Sequence, residues 1–375
     1  MTSKYKKGKY LQVLGLTFCF LMMLLSKTGA STELDFLSKN VENCPVRILS
    51  IDGGGVRGII PLTFLSWLET ETQKRSYEMF SIVGGTSAGS MIAAAITQPA
   101  NPDEDFHNWY PKYKADDLIN LFLNEKCNIF RKNESYLSGI LKPLYDSSSL
   151  DQVMDRYYGK TTFDKSLIPT ATVSFDVWAR KLKIFKSWDK KEIYFTKDVV
   201  RSSAAAPILF SAHSVAPLKG PSTLYSTYID GAILATNPTA HLLAEAKALY
   251  PKSKTFEVVS LGTGLNEDSI SSRVYKVMRS PYKLRDHVLE ACLIRGQSAP
   301  VEASMEKDPD INFNLRFNPV LDSDYLALDD IREDTFTHLR NLTTRYIHEN
   351  ADQFKTLVKR LKETQPASPP LHGSI

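Results

Sequence analysis

Two glycine-rich turns, about thirty residues apart, constrain this chain more than any other feature: Asp52-Gly53-Gly54-Gly55-Val56-Arg57-Gly58 and Gly85-Thr86-Ser87-Ala88-Gly89. Each follows a short apolar run, Val46 to Ile51 and Met79 to Val83, and each leads into a helical pattern. After the first, Ile59, Leu62, Leu65 and Leu68 make one apolar stripe in a helix ending near Lys74. After the second, the alanine-rich stretch Ala88 to Ile96 reads as a largely buried helix. Two strand–turn–helix units in succession predict a mainly parallel sheet with helices on both faces.

The second turn has the G-x-S-x-G spacing of a nucleophile elbow, with Gly85 and Gly89 flanking Ser87. Such a turn lifts a serine hydroxyl above the sheet edge. Its plain alternative is a tight turn in which Ser87 caps the next helix. The first turn offers backbone N–H groups where an oxyanion would need them. A serine beside an anion-binding glycine loop points to acyl transfer. The glycine loop also satisfies G-x-G-x-x-G through Gly53, Gly55 and Gly58, the dinucleotide fingerprint. That reading requires an acid at the end of the next strand, where Gly84-Gly85-Thr86-Ser87 stands instead, so no dinucleotide is expected.

A serine hydroxyl needs a base. Asp230-Gly231, at the end of a strand from Tyr225 to Ile229, is the best partner, with an ordinary Asp-Gly hairpin as its alternative. No histidine occupies a comparable turn; His213 is the best histidine candidate, with a simple loop position as the other reading. Asp308, Asp310 and Asn312 imitate a calcium loop, but Phe313 and Pro319 stand where the glycine and closing glutamate belong, so no metal is assigned.

Further strands are expected over Thr170 to Phe175, Lys183 to Phe185 and Phe256 to Leu261. Helices are expected over Leu150 to Tyr158 and His241 to Leu249. A small-residue helix, Arg201 to Ala206, is expected to stop at Pro207. The aromatic stretch from Asp103 to Ser149 is either a substrate-covering insertion or packed helices. Trp178 to Lys191, with six Lys/Arg and two Trp, reads as a lysine-protected edge hairpin or as a contact for anionic lipid headgroups. Beyond 265 the chain reads as mostly helical to 363, ending in Thr335 to Leu361 and a frayed tail from Pro366.

The formal charge of +4 is concentrated at one end. Residues 1–30 carry five lysines and no acid, so the remainder nets to −1 and offers no electrostatic reason to bind nucleic acid. A lysine-rich start, an apolar run from Leu11 to Leu25 and small residues at Thr28 and Ala30 form an export signal, with the cut expected after Ala30. That run is shorter than the ~20 residues of a spanning helix, although an uncleaved anchor is the other reading. Residues 31–375 are then one domain, with a secreted, periplasmic or vacuolar destination depending on the host. Cys44, Cys127 and Cys292 allow one bridge with a spare thiol, or three buried thiols. Asn133 and Asn341 carry glycosylation sequons.

Together these segments resemble the patatin-like phospholipases. LSIDGGGVRGIIP matches the family's oxyanion loop, GGTSAGSMIAA its elbow, SSAAAPILF its third block, and IDGAILATNP, followed by LGTG, its aspartate block. The resemblance runs from about Val46 to Thr263 and implies a three-layer α/β/α fold. It also implies lipid acyl hydrolysis without metal or cofactor, by a Ser–Asp dyad. Ser87 would be the nucleophile and Asp230 its base; Gly53, Gly54 and Gly55 would form the oxyanion hole, helped by Arg57. Phospholipids, lysophospholipids or galactolipids at a membrane or micelle surface are the implied substrates. Two positions depart from the pattern: Ser81, where relatives usually have aspartate, and Ser90, where they often have glycine. They leave a second reading, a storage or lipid-binding relative with a vestigial site.

Overall fold

Val46–Ile51 (β1) is buried at every position and apolar at four of its six, as suits a strand covered on both faces. Val46 and Ile48 point into one core, whereas Leu49 and Ile51 point into another on the opposite face. The computed structural model describes residues 44–134, 142–220, 224–266 and 296–368. All of these but Cys44 belong to one unit, Pro45–Ile375. The expected export segment, Cys292 and most of the tail lie outside the described residues.

A short 3₁₀ turn, Gly55–Gly58, leads from β1 into α1 (Ile59–Thr72). Next come β2 (Ile82–Thr86), α2 (Ala88–Ile96), α3 (Ala115–Ile129), α4 (Ser147–Tyr158), β3 (Thr170–Asp176) and β4 (Lys181–Lys186). They are followed by α5 (Thr196–Ser203), β5 (His213–Val215), β6 (Ser226–Asp230), α6 (Thr239–Leu249) and β7 (Phe256–Leu261). The described chain closes with α7 (Gly296–Lys307), β8 (Ile311–Phe317), α8 (Glu333–Glu349) and α9 (Ala351–Glu363).

The strands form one eight-stranded sheet in the order β5-β6-β3-β2-β1-β7-β8, with β4 paired to β3. From β3 to β8 along that order every neighbour is parallel. The β3–β4, β3–β6 and β5–β6 pairs are antiparallel. One face of the sheet is covered by α6 and α7 through Leu242, Leu243, Ala246, Leu249 and Met305. The other carries α1, α2 and the two C-terminal helices. The result is the expected three-layer α/β/α sandwich.

Several boundaries differ from expectation. Met79 and Phe80 are not strand: Met79 closes a single helical turn, Ser76–Met79, and β2 starts at Ile82. The small-residue helix begins at Thr196 and ends at Ser203, before the three alanines. The C-terminal region is not all helix, because β8 extends the sheet beside β7. Its residues Ile311, Phe313, Leu315 and Phe317 alternate with polar Asn312, Asn314 and Arg316, a period-2 pattern that marks a strand. The tail is not frayed at its start, since the Ala367 N–H donates to the Pro45 carbonyl at 3.0 Å. Cys127 is exposed, which removes the reading of three buried thiols.

Candidate active site

Two strands meet head to head along one flank of β3. The other flank of β3 is taken by β4 from Ala171 to Asp176. On the free flank β2 runs parallel to β3 and stops with Thr86 opposite Val173. From the opposite direction β6 runs antiparallel and stops with Asp230 opposite Ser174. The residues that leave these two strand ends are therefore neighbours, and Ser87 and the Asp230 carboxyl line one cavity, close enough for the serine hydroxyl to influence the carboxylate.

Ser87 has φ 54° and ψ −123°, a left-handed conformation that a non-glycine residue adopts only under constraint. Three contacts impose it. The Ser87 N–H donates to Ser203 Oγ at 3.0 Å, and Ser203 Oγ–H donates to the Val173 carbonyl at 2.5 Å. Ser90, on the first turn of α2, donates its hydroxyl to the Ser87 carbonyl at 2.6 Å. The helix also passes so close to β1 that a Cβ on Gly89 would lie 2.2 Å from the Ile51 carbonyl oxygen, so only glycine fits there. Ser90, one of the two departures from the family pattern, is thus a brace on the elbow. The other, Ser81, precedes β2 at its far end, where its hydroxyl accepts the Arg47 N–H at 3.1 Å. It does not flank the chemistry.

Asp230 is 3 % exposed, and burial pushes its carboxyl up to about 6, opposed by the nearby Ser87 hydroxyl and by the Ala232 N–H. The Ala232 N–H reaches Asp230 Oδ1 at 2.8 Å. Asp230-Gly231 is no hairpin, because a helical turn, Ala232–Ala235, follows.

The glycine loop lies across the same site. Gly54 and Gly55 line the cavity above Ser87, and neither N–H has an acceptor among the described residues. Gly53 differs from expectation: its N–H donates to the Thr236 carbonyl at 3.0 Å and is not free for an oxyanion. Its carbonyl accepts the Thr263 hydroxyl at 2.8 Å, which ties the loop to the end of β7. Gly55 has φ +56°, and the Leu328 carbonyl that takes the Val56 N–H at 2.9 Å stands where a Cβ would go. Arg57 does not line the cavity. It is fully buried and donates to the Leu326 carbonyl at 3.4 Å, so it supports the loop from behind. Asp52, also buried, is paired with Arg316 at 2.6 Å.

Above this floor opens a cavity of about 200 Å³ whose walls are almost wholly apolar. Met91, Phe122, Phe130, Leu150, Ile208 and Phe210 line it together with Ser87 and Asp230. The segment expected as lid or packed helices supplies Phe122, Ile129 and Phe130 from α3 and its end, so it forms the cavity wall. His213 stands away from the site on β5, its Nε2 3.2 Å from Asp198. Asp308 and Asp310 both pair with the Lys247 ammonium. Asn133 spends its amide on the carbonyls of Pro143 and Tyr145, whereas Asn341 is exposed on α8. Reasoning from sequence missed Ser203 and Thr263 as site residues. Both fall in segments quoted above, but their roles depend on partners distant in the chain.

A three-layer sandwich with a strained serine over a parallel strand end, beside a buried carboxylate and a glycine loop, defines an α/β protein built on a strand–serine–helix turn. Residues 49–243 match the family model for patatin-like phospholipase, and the chain belongs to that family. It is similar to patatin-like protein 2 of Oryza sativa subsp. indica, 31% identical over 292 residues that cover 68% of each chain. It is also similar to patatin group M-3 of Solanum tuberosum, 29% identical over 273 residues and 66% of each chain. Among solved structures, human GIVD cytosolic phospholipase A2 bound to methyl gamma-linolenyl fluorophosphonate aligns with TM-score 0.43 and 8% identity. That alignment covers 86% of this chain and 60% of the other.

Proposed function

We propose that this protein is an exported lipid acyl hydrolase of phospholipase A or lysophospholipase type, acting through a Ser87–Asp230 dyad. The observation that carries the reading is the meeting of Ser87 and the buried Asp230 carboxylate, from adjacent strand ends, at the floor of one apolar cavity. Asp230 takes the hydroxyl proton as Ser87 Oγ attacks the ester carbonyl. The N–H groups of Gly54 and Gly55 receive the developing oxyanion, a contribution worth on the order of 10²–10³ in rate per donor. Collapse of the tetrahedral intermediate expels the alcohol, which leaves with the proton held by Asp230, and the acyl group stays on Ser87. Asp230 then takes a proton from a water that attacks the acyl-enzyme, and returns it to Ser87 Oγ as the ester bond to the serine breaks and fatty acid departs. A carboxyl raised to about 6 is a better base than an exposed aspartate near 4, yet it remains ionised at neutral pH.

The strained Ser87 backbone, held by three separate contacts, favours a working site over a vestigial storage form, in which nothing would maintain the strain. The export signal over residues 1–30 supports a secretory destination. The test is product analysis by mass spectrometry with mixed phospholipids, lysophospholipids and galactolipids, comparing wild type with Ser87→Ala. Loss of fatty acid release by at least about 10⁴-fold is expected. Equal release by the two proteins sinks the proposal.

A further inference from the structure

Behind the main cavity lies a second one of about 40 Å³, walled by apolar and tyrosine side chains that no step above uses. The two share Ala88, Met91 and Phe122, so a partition one side chain thick divides them. One face of α2 runs through both. Ala88, Met91, Ile92 and Ala95 recur at helical spacing and lead away from Ser87, over about 10 Å at 1.5 Å per residue. Leu62 of α1, Leu121 of α3, and Val153 and Met154 of α4 close the far side. The space admits about three water-sized groups at 10–15 Å³ each. Its exposed lining is almost without polar surface, so it suits methylenes better than water.

Met91 suits a movable partition. Its backbone is pinned, because the Tyr158 hydroxyl donates to the Met91 carbonyl at 2.8 Å. Its side chain is unbranched, with three rotatable bonds, and adapts to what lies beside it. Phe122, by contrast, is buried and packs edge-on against Phe336 at 6.0 Å between centroids, so it is the fixed side of the opening.

We propose that the second cavity is a subsite for the distal end of the fatty acyl chain, opened when the Met91 side chain turns aside, and that it sets acyl-length preference. The inference rests on the hydrolase reading above and adds the length selectivity of its substrate. An ester whose chain ends in the first cavity leaves Met91 in place. A chain about three methylenes longer pushes past it and buries those groups along the α2 face. Each buried methylene is worth about fourfold in kcat/KM, so three of them contribute up to about 60-fold between short and long chains.

The experiment measures kcat/KM for p-nitrophenyl esters from C4 to C18 in mixed detergent micelles, using the full chain and reading the long-to-short ratio. Met154→Trp and Val153→Phe fill the second cavity from α4; each is expected to lower the ratio about tenfold and to move the optimum about three carbons shorter. Met91→Ala joins the two spaces and is expected to raise the ratio at least threefold. Circular dichroism and fluorophosphonate labelling of Ser87 establish that each variant is folded with an intact site. A length profile that stays within twofold of wild type in both filling variants, with labelling retained, overturns the proposal; so does uniform loss across all lengths. Failure of the hydrolase reading has a different signature, hydrolysis that persists in Ser87→Ala.

Discussion

Replacing Asp230 by asparagine separates what the carboxylate does for chemistry from what it costs the fold. The carboxyl sits 3 % exposed at the end of β6 and is pushed up to about 6 by burial, against about 3.8 in an unfolded chain. The folded protein therefore holds this proton more tightly than the unfolded one, and stability falls as pH rises from about 4 to 6. Below the unfolded value the group costs nothing; above about 6 the full penalty applies. A difference of about two pK units at 1.36 kcal/mol each makes that penalty about 3 kcal/mol at pH 8. Asparagine keeps an oxygen for the Ala232 N–H and does not titrate. Any pH-independent cost of the exchange cancels when the variant is compared with wild type at two pH values. In urea denaturation, the stability of Asp230→Asn relative to wild type should rise by about 3 kcal/mol between pH 4 and pH 8. For a unit of about 330 residues that corresponds to about 4 °C in melting temperature. Hydrolysis by the variant should be lost over the same range. Stability curves that run parallel from pH 4 to pH 8 would refute the claim that burial sets the basicity of Asp230.

Other expectations follow from the same geometry. In wild type, kcat/KM should fall about tenfold per pH unit below about 6, as Asp230 is protonated, and level off above it; a stopped assay across pH 4–8 tests this. Ser203→Ala removes the acceptor of the Ser87 N–H and the donor to the Val173 carbonyl. It should cost about 1–3 kcal/mol in chemical denaturation and lower kcat more than it raises KM. Arg316→Met leaves the Asp52 carboxylate buried without its partner and should cost about 3–5 kcal/mol, read from the shift in urea midpoint. Gly55→Ala places a methyl against the Leu328 carbonyl at a positive φ; it should abolish fluorophosphonate labelling or unfold the loop, which limited proteolysis would detect.

What sequence reading caught and missed follows the range of the interactions involved. β1, α2 and β7 were legible to the residue, because each is a local pattern with a glycine or proline signal at its border. The start of β2 was not, since Met79 and Phe80 are apolar like a strand but are turned into the core by a helical turn. β8 showed a period of two, yet its place depends on docking against β7, which residues next to it in the chain do not reveal. The loop glycines were identified, but their division of labour was not: the Gly53 N–H is occupied by Thr236, which lies far along the chain.

The sequence by itself determined the strand–turn–helix units, the serine at the tip of one, and an aspartate leaving another strand, because these depend on backbone sterics within a few residues. Tertiary structure alone decided that β2 and β6 end against adjacent positions of β3, which brings the hydroxyl to the carboxylate. It also decided how deeply that carboxylate is buried, and hence how basic it is, because desolvation depends on every element packed around the group.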